Sequence, residues 1–300
     1  MLKLKITDRA GVRLVRIPGR TDTIVELRSG TYCRIDDKLT DYWQLRRFRG
    51  IVYIRVGSVL TRDLSVIKTA KTRAALGIQT AIHYGAPAGS AGMGIHSCSH
   101  ATKSCSAFCL NTAGKGSLPS VQLARIARQR LRAFRPDIFW TMFRRELSAE
   151  SRHAIRNNRR LFVRPNGTTD QFSAELSEII DDYSDSVGFY DYTAVPRRLE
   201  QTRGNYELIM SVKETESNHQ WIRANIHRHN AAAVVLPAIK NRLLEDKTRF
   251  FDADLHDLRI AETDGKNGRC GLLTPKGQLR GKPDSMIFER KRDLIEAVWG

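Results

Sequence analysis

A short apolar run ending in a polar cluster recurs along residues 161–276, and no other feature constrains the fold as much. Residues 161–164 lead into Pro165-Asn166-Gly167-Thr168-Thr169-Asp170, and 187–190 into Asp191-Tyr192-Thr193. Residues 206–212 lead into Lys213-Glu214-Thr215-Glu216, and 232–236 end at Pro237. Phe250-Phe251 runs into Asp252-Ala253-Asp254-Leu255-His256-Asp257, and 270–273 into Thr274-Pro275-Lys276. Helical stretches such as 172–183 and 218–229 separate several of these runs. With the alternating run at 76–84, they make about seven short strands bounded by turn residues. Strands separated by helices pair in parallel through crossovers. The expected fold class is therefore α/β, a partial or complete (βα) barrel with a small N-terminal β-rich appendage. An open doubly wound sheet is the alternative, and both bind ligands at the C-terminal ends of their strands.

The expected organisation has three parts. A β-rich region covers 1–60, with strands at 3–6, 12–17, 24–27 and 51–56. A barrel-like domain covers 61–290, and a C-terminal helix or tail covers 291–300. Pro119 suits the first turn of a helix whose buried stripe is Leu123, Ala127, Leu131 and Phe134, with Arg125, Arg128, Arg130 and Arg132 largely off that stripe. Pro136 starts a second helix that buries Phe139, Met142, Phe143 and Leu147.

Ahead of the first of these helices lies HSCSHATKSCSAFCLNTAGKG, residues 96–116. It carries Cys98, Cys105 and Cys109 in the spacing C-x6-C-x3-C, with His96 and His100 flanking the first cysteine. The start of the chain has no apolar signal core, and no apolar run approaches the roughly 20 residues that span a bilayer. A cytoplasmic protein is expected, and there clustered cysteines hold metals or redox groups more often than disulfides. Three cysteines leave one position of a four-coordinate site open. An iron–sulfur ([4Fe-4S]) cluster leaves its unique iron free, whereas zinc draws in His96 or His100. Gly114-Lys115-Gly116-Ser117 lacks the first glycine of a phosphate-binding loop and reads as a turn, and Lys115 is a candidate cofactor contact.

Several further motifs go together with the cysteine loop. They are Lys68-Thr69-x-Lys71, Leu76-Gly77, Tyr84-x-Ala86-Pro87-Ala88, Leu110-Asn111-Thr112-Ala113-Gly114-Lys115-Gly116, Val121-Gln122-x-Ala124-Arg125-Ile126, Asn166-Gly167-Thr168-Thr169-Asp170, Tyr190-Asp191-Tyr192-Thr193 and His256-Asp257-Leu258-Arg259. Together they resemble a poorly characterised phage and plasmid protein family over roughly residues 65–285. More distantly, a three-cysteine loop after the first barrel strand resembles the radical S-adenosylmethionine enzymes. That resemblance implies a [4Fe-4S] cluster on Cys98, Cys105 and Cys109. Those enzymes usually show C-x3-C-x2-C and a Gly-Gly-Glu type motif after the second strand, where this chain has C-x6-C-x3-C and Asn166-Gly167-Thr168-Thr169-Asp170. The use of S-adenosylmethionine does not carry over with the cluster.

Strand-end position nominates Asp170, Asp191, Glu214, Asp254, His256 and Asp257 as catalytic groups, and Asn166, Thr168 and Tyr192 as cofactor contacts. Net charge is +18, from 50 Lys and Arg against 32 Asp and Glu, so a polyanion is the expected partner and no membrane is. The basic runs are Arg46-Arg47-x-Arg49, 125–135 and 156–160. The expected function is a phage-type, radical-enzyme-like iron–sulfur enzyme acting on nucleic acid or nucleotide. The alternative is a zinc-stapled nucleic-acid-binding protein without activity, serving phage DNA replication.

Overall fold

The structure is a computed structural model that describes residues 12–16, 23–27, 30–35, 45–48, 51–62 and 67–300. The strand expected at 3–6 lies outside the described residues, as do Trp43 and Arg49. Five N-terminal strands are β1 (Val12–Arg16), β2 (Thr23–Leu27), β3 (Gly30–Ile35), β4 (Leu45–Phe48) and β5 (Ile51–Val56). They form one antiparallel sheet in the order β1-β2-β3-β5-β4.

The second sheet has eight strands, and every pairing between its named strands is parallel. They are β6 (Gln79–Ile82), β7 (Leu161–Arg164), β8 (Val187–Thr193), β9 (Tyr206–Ser211), β10 (Ala231–Val235), β11 (Phe250–Asp252), β12 (Cys270–Leu273) and β13 (Ile287–Phe288). The order is β11-β12-β10-β9-β8-β7-β6, and β13 adds to β10. Among the described residues no pairing joins β11 to β6, so the (βα) barrel is partial.

The segment after β11 occupies that seam. Leu258 and Ile260 cluster with Ile78, Phe162 and Tyr190. The Asp257 N–H donates to Thr72 Oγ1 at 3.1 Å, on α1 (Ile67–Leu76). Gly77, at φ +66°, ends α1 with its N–H bonded to the Arg73 carbonyl at 3.0 Å, a left-handed cap that glycine adopts without strain. The run expected to alternate from 76 to 84 therefore starts late, because Leu76 belongs to the helix. All four β6 residues are buried, as in a strand covered on both faces.

The strands form because apolar residues alternate between two covered faces. On β7, Leu161 and Val163 join the main core with the helices, while Phe162 faces the barrel interior. Helices α2 (Lys103–Ala107), α3 (Pro119–Phe134) and α4 (Pro136–Arg156) lie between β6 and β7. Helices α5 (Ala174–Asp182), α6 (Glu216–Asn225), α7 (Pro237–Leu244) and α8 (Ala261–Asp264) connect later strands, and α9 (Lys291–Val298) ends the chain. Pro119 and Pro136 each stand in the first turn of their helix, where the missing N–H costs nothing. Leu123, Ala127 and Leu131 bury one stripe of α3, and Phe139, Phe143 and Leu147 bury one of α4.

The α3 arginines do not fall on a solvent face as expected. Arg125, Arg130 and Arg132 are buried, and each is used inside the protein. Arg125 Nη1 donates to the Asn111 carbonyl at 3.0 Å, Arg128 Nε to the Ser58 carbonyl at 2.8 Å, and Arg130 Nε to the Ala91 carbonyl at 2.8 Å. Arg132 lies 5.0 Å from the Trp140 ring centroid. Helix α3 runs between the N-terminal sheet and the barrel, touching β3 and β5, so both of its sides are covered. Long side chains then reach carbonyls and rings, not phosphates.

Candidate functional site

A cavity of about 530 Å³ opens at the C-terminal ends of the barrel strands. Cys98, Cys105 and Cys109 all line it. Arg164, Asp170 and Lys213 line it as well, and most of the remaining wall is apolar, from Phe108, Val212, Val234 and Met286.

The cysteine loop is held at many points. The Ser97 hydroxyl donates to the Ala86 carbonyl at 2.6 Å, and the Asp170 N–H to the Ser97 carbonyl at 2.9 Å, which bridges Cys98 to the strand end at Asp170. Thr102 caps α2 by accepting from the Cys105 N–H at 3.1 Å. Glu214 fastens the same turn, accepting from Thr102 Oγ1 at 2.9 Å and from the Ser104 N–H at 3.2 Å. Past Cys109, Asn111 is gripped by Gln122 and Arg125 from α3. Gly116 lets this happen: a Cβ there would stand 2.7 Å from the Asn111 carbonyl oxygen and 3.1 Å from Arg125 Nη1.

Burial pushes the Cys98 thiol above its ordinary value and the Cys109 thiol up to about 11. Two cations act on this group of sulfurs. Lys213 Nζ donates to Cys105 Sγ at 3.2 Å and also favours the charged form of Cys109. Arg125, buried and 5.0 Å from the Tyr84 ring centroid, interacts electrostatically with Cys109. Neither cation has a carboxylate partner among the described residues. Nor, among those residues, do three His, Cys, Asp or Glu side chains close around a single ion position. His96 and His100 are both exposed, and only His100 reaches the cavity wall.

Of the residues nominated by strand-end position, Asn166, Thr168, Asp170 and Tyr192 line the cavity. The structure differs for the others. Strand β8 runs on to Thr193, so Asp191 is inside the strand, on the face opposite Tyr190 and Tyr192. Completely buried, it accepts from the Asn166 N–H at 2.9 Å, Arg198 Nη2 at 3.0 Å and the Tyr206 hydroxyl at 3.0 Å. Glu214 holds the cysteine turn from behind the wall. Asp254 is taken by Lys240, Lys276 and Thr274; burial alone would raise its carboxyl, but these partners hold it well below the usual carboxylate range. Asp257 pairs with Arg164 at 3.2 Å, and His256 contacts Arg259. Lys115 is exposed on the turn before α3 and does not line the cavity.

Three participants escaped the sequence reading: Arg164, Lys213 and Arg125. Arg164 carried a signal, since a charge that closes an apolar strand is costly to bury without a purpose. Lys213 and Arg125 carried none, because their partners are distant in sequence.

Comparison with known proteins adds a family. A family model described as gene product 88 matches residues 59–289, most of the chain, and the chain belongs to that family. No curated protein matches, and no solved structure does. Among the described residues, no helix is long and apolar enough to cross a membrane.

Proposed function

We propose that this gene product 88 family protein holds an iron–sulfur cluster on Cys98, Cys105 and Cys109 and is an enzyme acting in the adjoining cavity. One observation carries the reading: among the described residues, Lys213 and the buried Arg125 reach this three-cysteine site with no carboxylate partner. A buried cation without a counter-charge is costly. Three thiols that lose their protons to a metal centre supply that counter-charge. The donor set, three cysteines lining one cavity, is the one that a [4Fe-4S] cluster with an open fourth iron takes. When bound, such a cluster supplies one-electron chemistry at the cavity. The chain's own residues would orient the ligand (Thr168, Tyr192, with Asn166 holding the turn between them) and keep water out with the apolar wall. The proposal does not include S-adenosylmethionine, because the cysteine spacing and the strand end at Asn166–Asp170 depart from that pattern.

The substrate class we propose is nucleotide or nucleic acid, on the net charge of +18. With the α3 arginines used internally, phosphate contacts fall to the end of α4, where Arg152 and Arg156 are exposed. Slight desolvation and then the fields of Arg62, Arg156, Arg159 and Arg73 push His153 below its ordinary value, which puts several cations around one spot.

Anaerobic reconstitution with ferrous iron and sulfide tests the cluster. The expected result is a brown protein with bound iron and labile sulfide, bleached by dithionite and absent from Cys98→Ala, Cys105→Ala and Cys109→Ala. Tight zinc without labile sulfide would overturn it in favour of a zinc-stapled binding module.

A further inference from the structure

Arg164 is the last residue of β7 and lies on the cavity floor, only 5% exposed. Its guanidinium stacks 4.6 Å from the Tyr192 ring centroid. Nη1 donates to both carboxylate oxygens of Asp257 at 3.2 Å, and the Tyr190 hydroxyl donates to Asp257 Oδ2 at 3.2 Å. Among the described residues Nε, itself a buried atom, has no hydrogen-bond partner, and Asp191 Oδ1 lies 4.0 Å from it. An arginine fork carries five N–H donors. Among the described residues only one nitrogen of the fork donates, on a group almost wholly removed from water and set beneath a largely apolar chamber. Burying an ion pair in this way does not in itself stabilise a fold, so the pair calls for another explanation.

We infer that the floor of this cavity is an oxyanion subsite: Arg164 takes the acid group of a small organic acid, and the apolar wall takes its body. A guanidinium with a rigid ring behind it donates charge-assisted hydrogen bonds to the oxygens of a carboxylate or a phosphate monoester. Asp257 holds the guanidinium through Nη1 and balances its charge. Lys213, facing the same chamber and, among the described residues, without a carboxylate partner, supplies the remaining positive field. Phe108, Val212, Val234 and Met286 make the body of the ligand apolar, and about 530 Å³ suits a molecule of drug-like size. The inference does not depend on the cluster, because the floor is built from barrel strands and not from the cysteine loop.

The test uses the full-length protein as purified, without added iron, and titrates it calorimetrically with phenylbutyrate and with its uncharged amide, phenylbutyramide. The acid should bind at least about tenfold more tightly than the amide, the scale of a charge-assisted hydrogen bond in a dry site. Phenyl phosphate measured alongside separates carboxylate from phosphate recognition, and a preference for either over the amide supports the subsite. The double variant Arg164→Met/Asp257→Asn removes both charges of the pair while keeping an acceptor for the Tyr190 hydroxyl, and should bind acid and amide alike. An equal affinity for acid and amide in the unaltered protein, or a preference that survives the double variant, overturns the inference. Should the double variant not fold, the Arg164 Nε–H resonance of the unaltered protein decides: it should move on adding the acid and stay in place on adding the amide.

Discussion

Lys213 Nζ stands 3.2 Å from Cys105 Sγ, although the two residues are separated by the whole of α3 and α4 and three strands. Cys105 sits in a short helix of the cysteine loop, and Lys213 leaves the end of β9. The fold therefore delivers a cation from a distant strand end to a sulfur of the cysteine loop. A hydrogen bond to a ligating sulfur is one of the means by which a protein sets a cluster's reduction potential.

Replacing Lys213 with Met should leave iron and sulfide content unchanged in the reconstituted protein and make the reduction potential more negative. A cation beside the sulfur favours the more negative, reduced cluster, so its loss disfavours reduction. Potentiometric titration of both proteins reads this directly. An unchanged potential would show that Lys213 does not address a ligating sulfur.

Glu214 should act as a fastener of the cysteine turn, not as an acid or base. Glu214→Ala leaves the Ser104 N–H and the Thr102 hydroxyl without their acceptor, at a cost of about 1–3 kcal/mol. Glu214→Gln keeps an acceptor oxygen and should recover part of it. Thermal unfolding measures the loss, and limited proteolysis should find new cleavage between Cys98 and Cys109 in the alanine variant. Equal stability in all three proteins would refute the fastening role.

Asp191→Ala should destabilise the protein by roughly 3–5 kcal/mol, because Arg198, whose Nη1 also pairs with Asp170, then loses one of its two carboxylates and Asn166 and Tyr206 lose an acceptor. Urea unfolding gives the value. A loss under 1 kcal/mol would mean that Asp170 alone neutralises Arg198.

Stability should fall in mild acid through His83. Its Nδ1–H donates to the Val59 carbonyl at 2.8 Å, and burial first, with Arg132 next, pushes its pKa from 6.5 down to about 3. Between those values the unfolded chain carries a proton that the folded one refuses. Stability is therefore complete above 6.5 and is lost as pH falls toward 3, by about 1.4 kcal/mol per pH unit from this residue. His83→Asn keeps a donor for Val59 and removes the titration. Its urea midpoint should change less between about pH 7 and pH 5 than that of the unaltered protein. Parallel pH profiles would dismiss His83 as the cause.

Nucleic-acid binding, if it is electrostatic, should weaken steeply with salt, and Arg152→Ala/Arg156→Ala should both weaken it and flatten the salt dependence. Arg130→Ala should lower stability and leave that dependence as it was, since Arg130 is spent on the Ala91 carbonyl. Fluorescence anisotropy with single-stranded and duplex DNA and with RNA, at two salt concentrations, checks both. Binding indifferent to salt would exclude phosphate contact as its basis.

The sequence by itself determined the parts that depend on near neighbours along the chain. Periodic apolar runs bounded by turn residues gave β7, β12 and most of β8–β11 within a few residues. Pro119 and Pro136 gave two helix starts, and the alternation of strand and helix gave a parallel (βα) arrangement. The clustering of Cys98, Cys105 and Cys109 marked the loop that lines the cavity. Tertiary structure alone decided which strand-end acids face that cavity. Asp191 reads like Asp170 in sequence, but β8 runs past it and the pleat turns it to the other face, where Arg198 takes it. The α3 arginines read as a surface, and only the sheet packed over them makes them internal. The reason is the same in each case. A residue's local conformation follows from short-range sterics and periodicity, but the environment of a long charged side chain is set by whichever distant segment covers it. For Cys105 that segment begins at Lys213, for Arg125 it is Asn111, and for Arg164 it is Asp257.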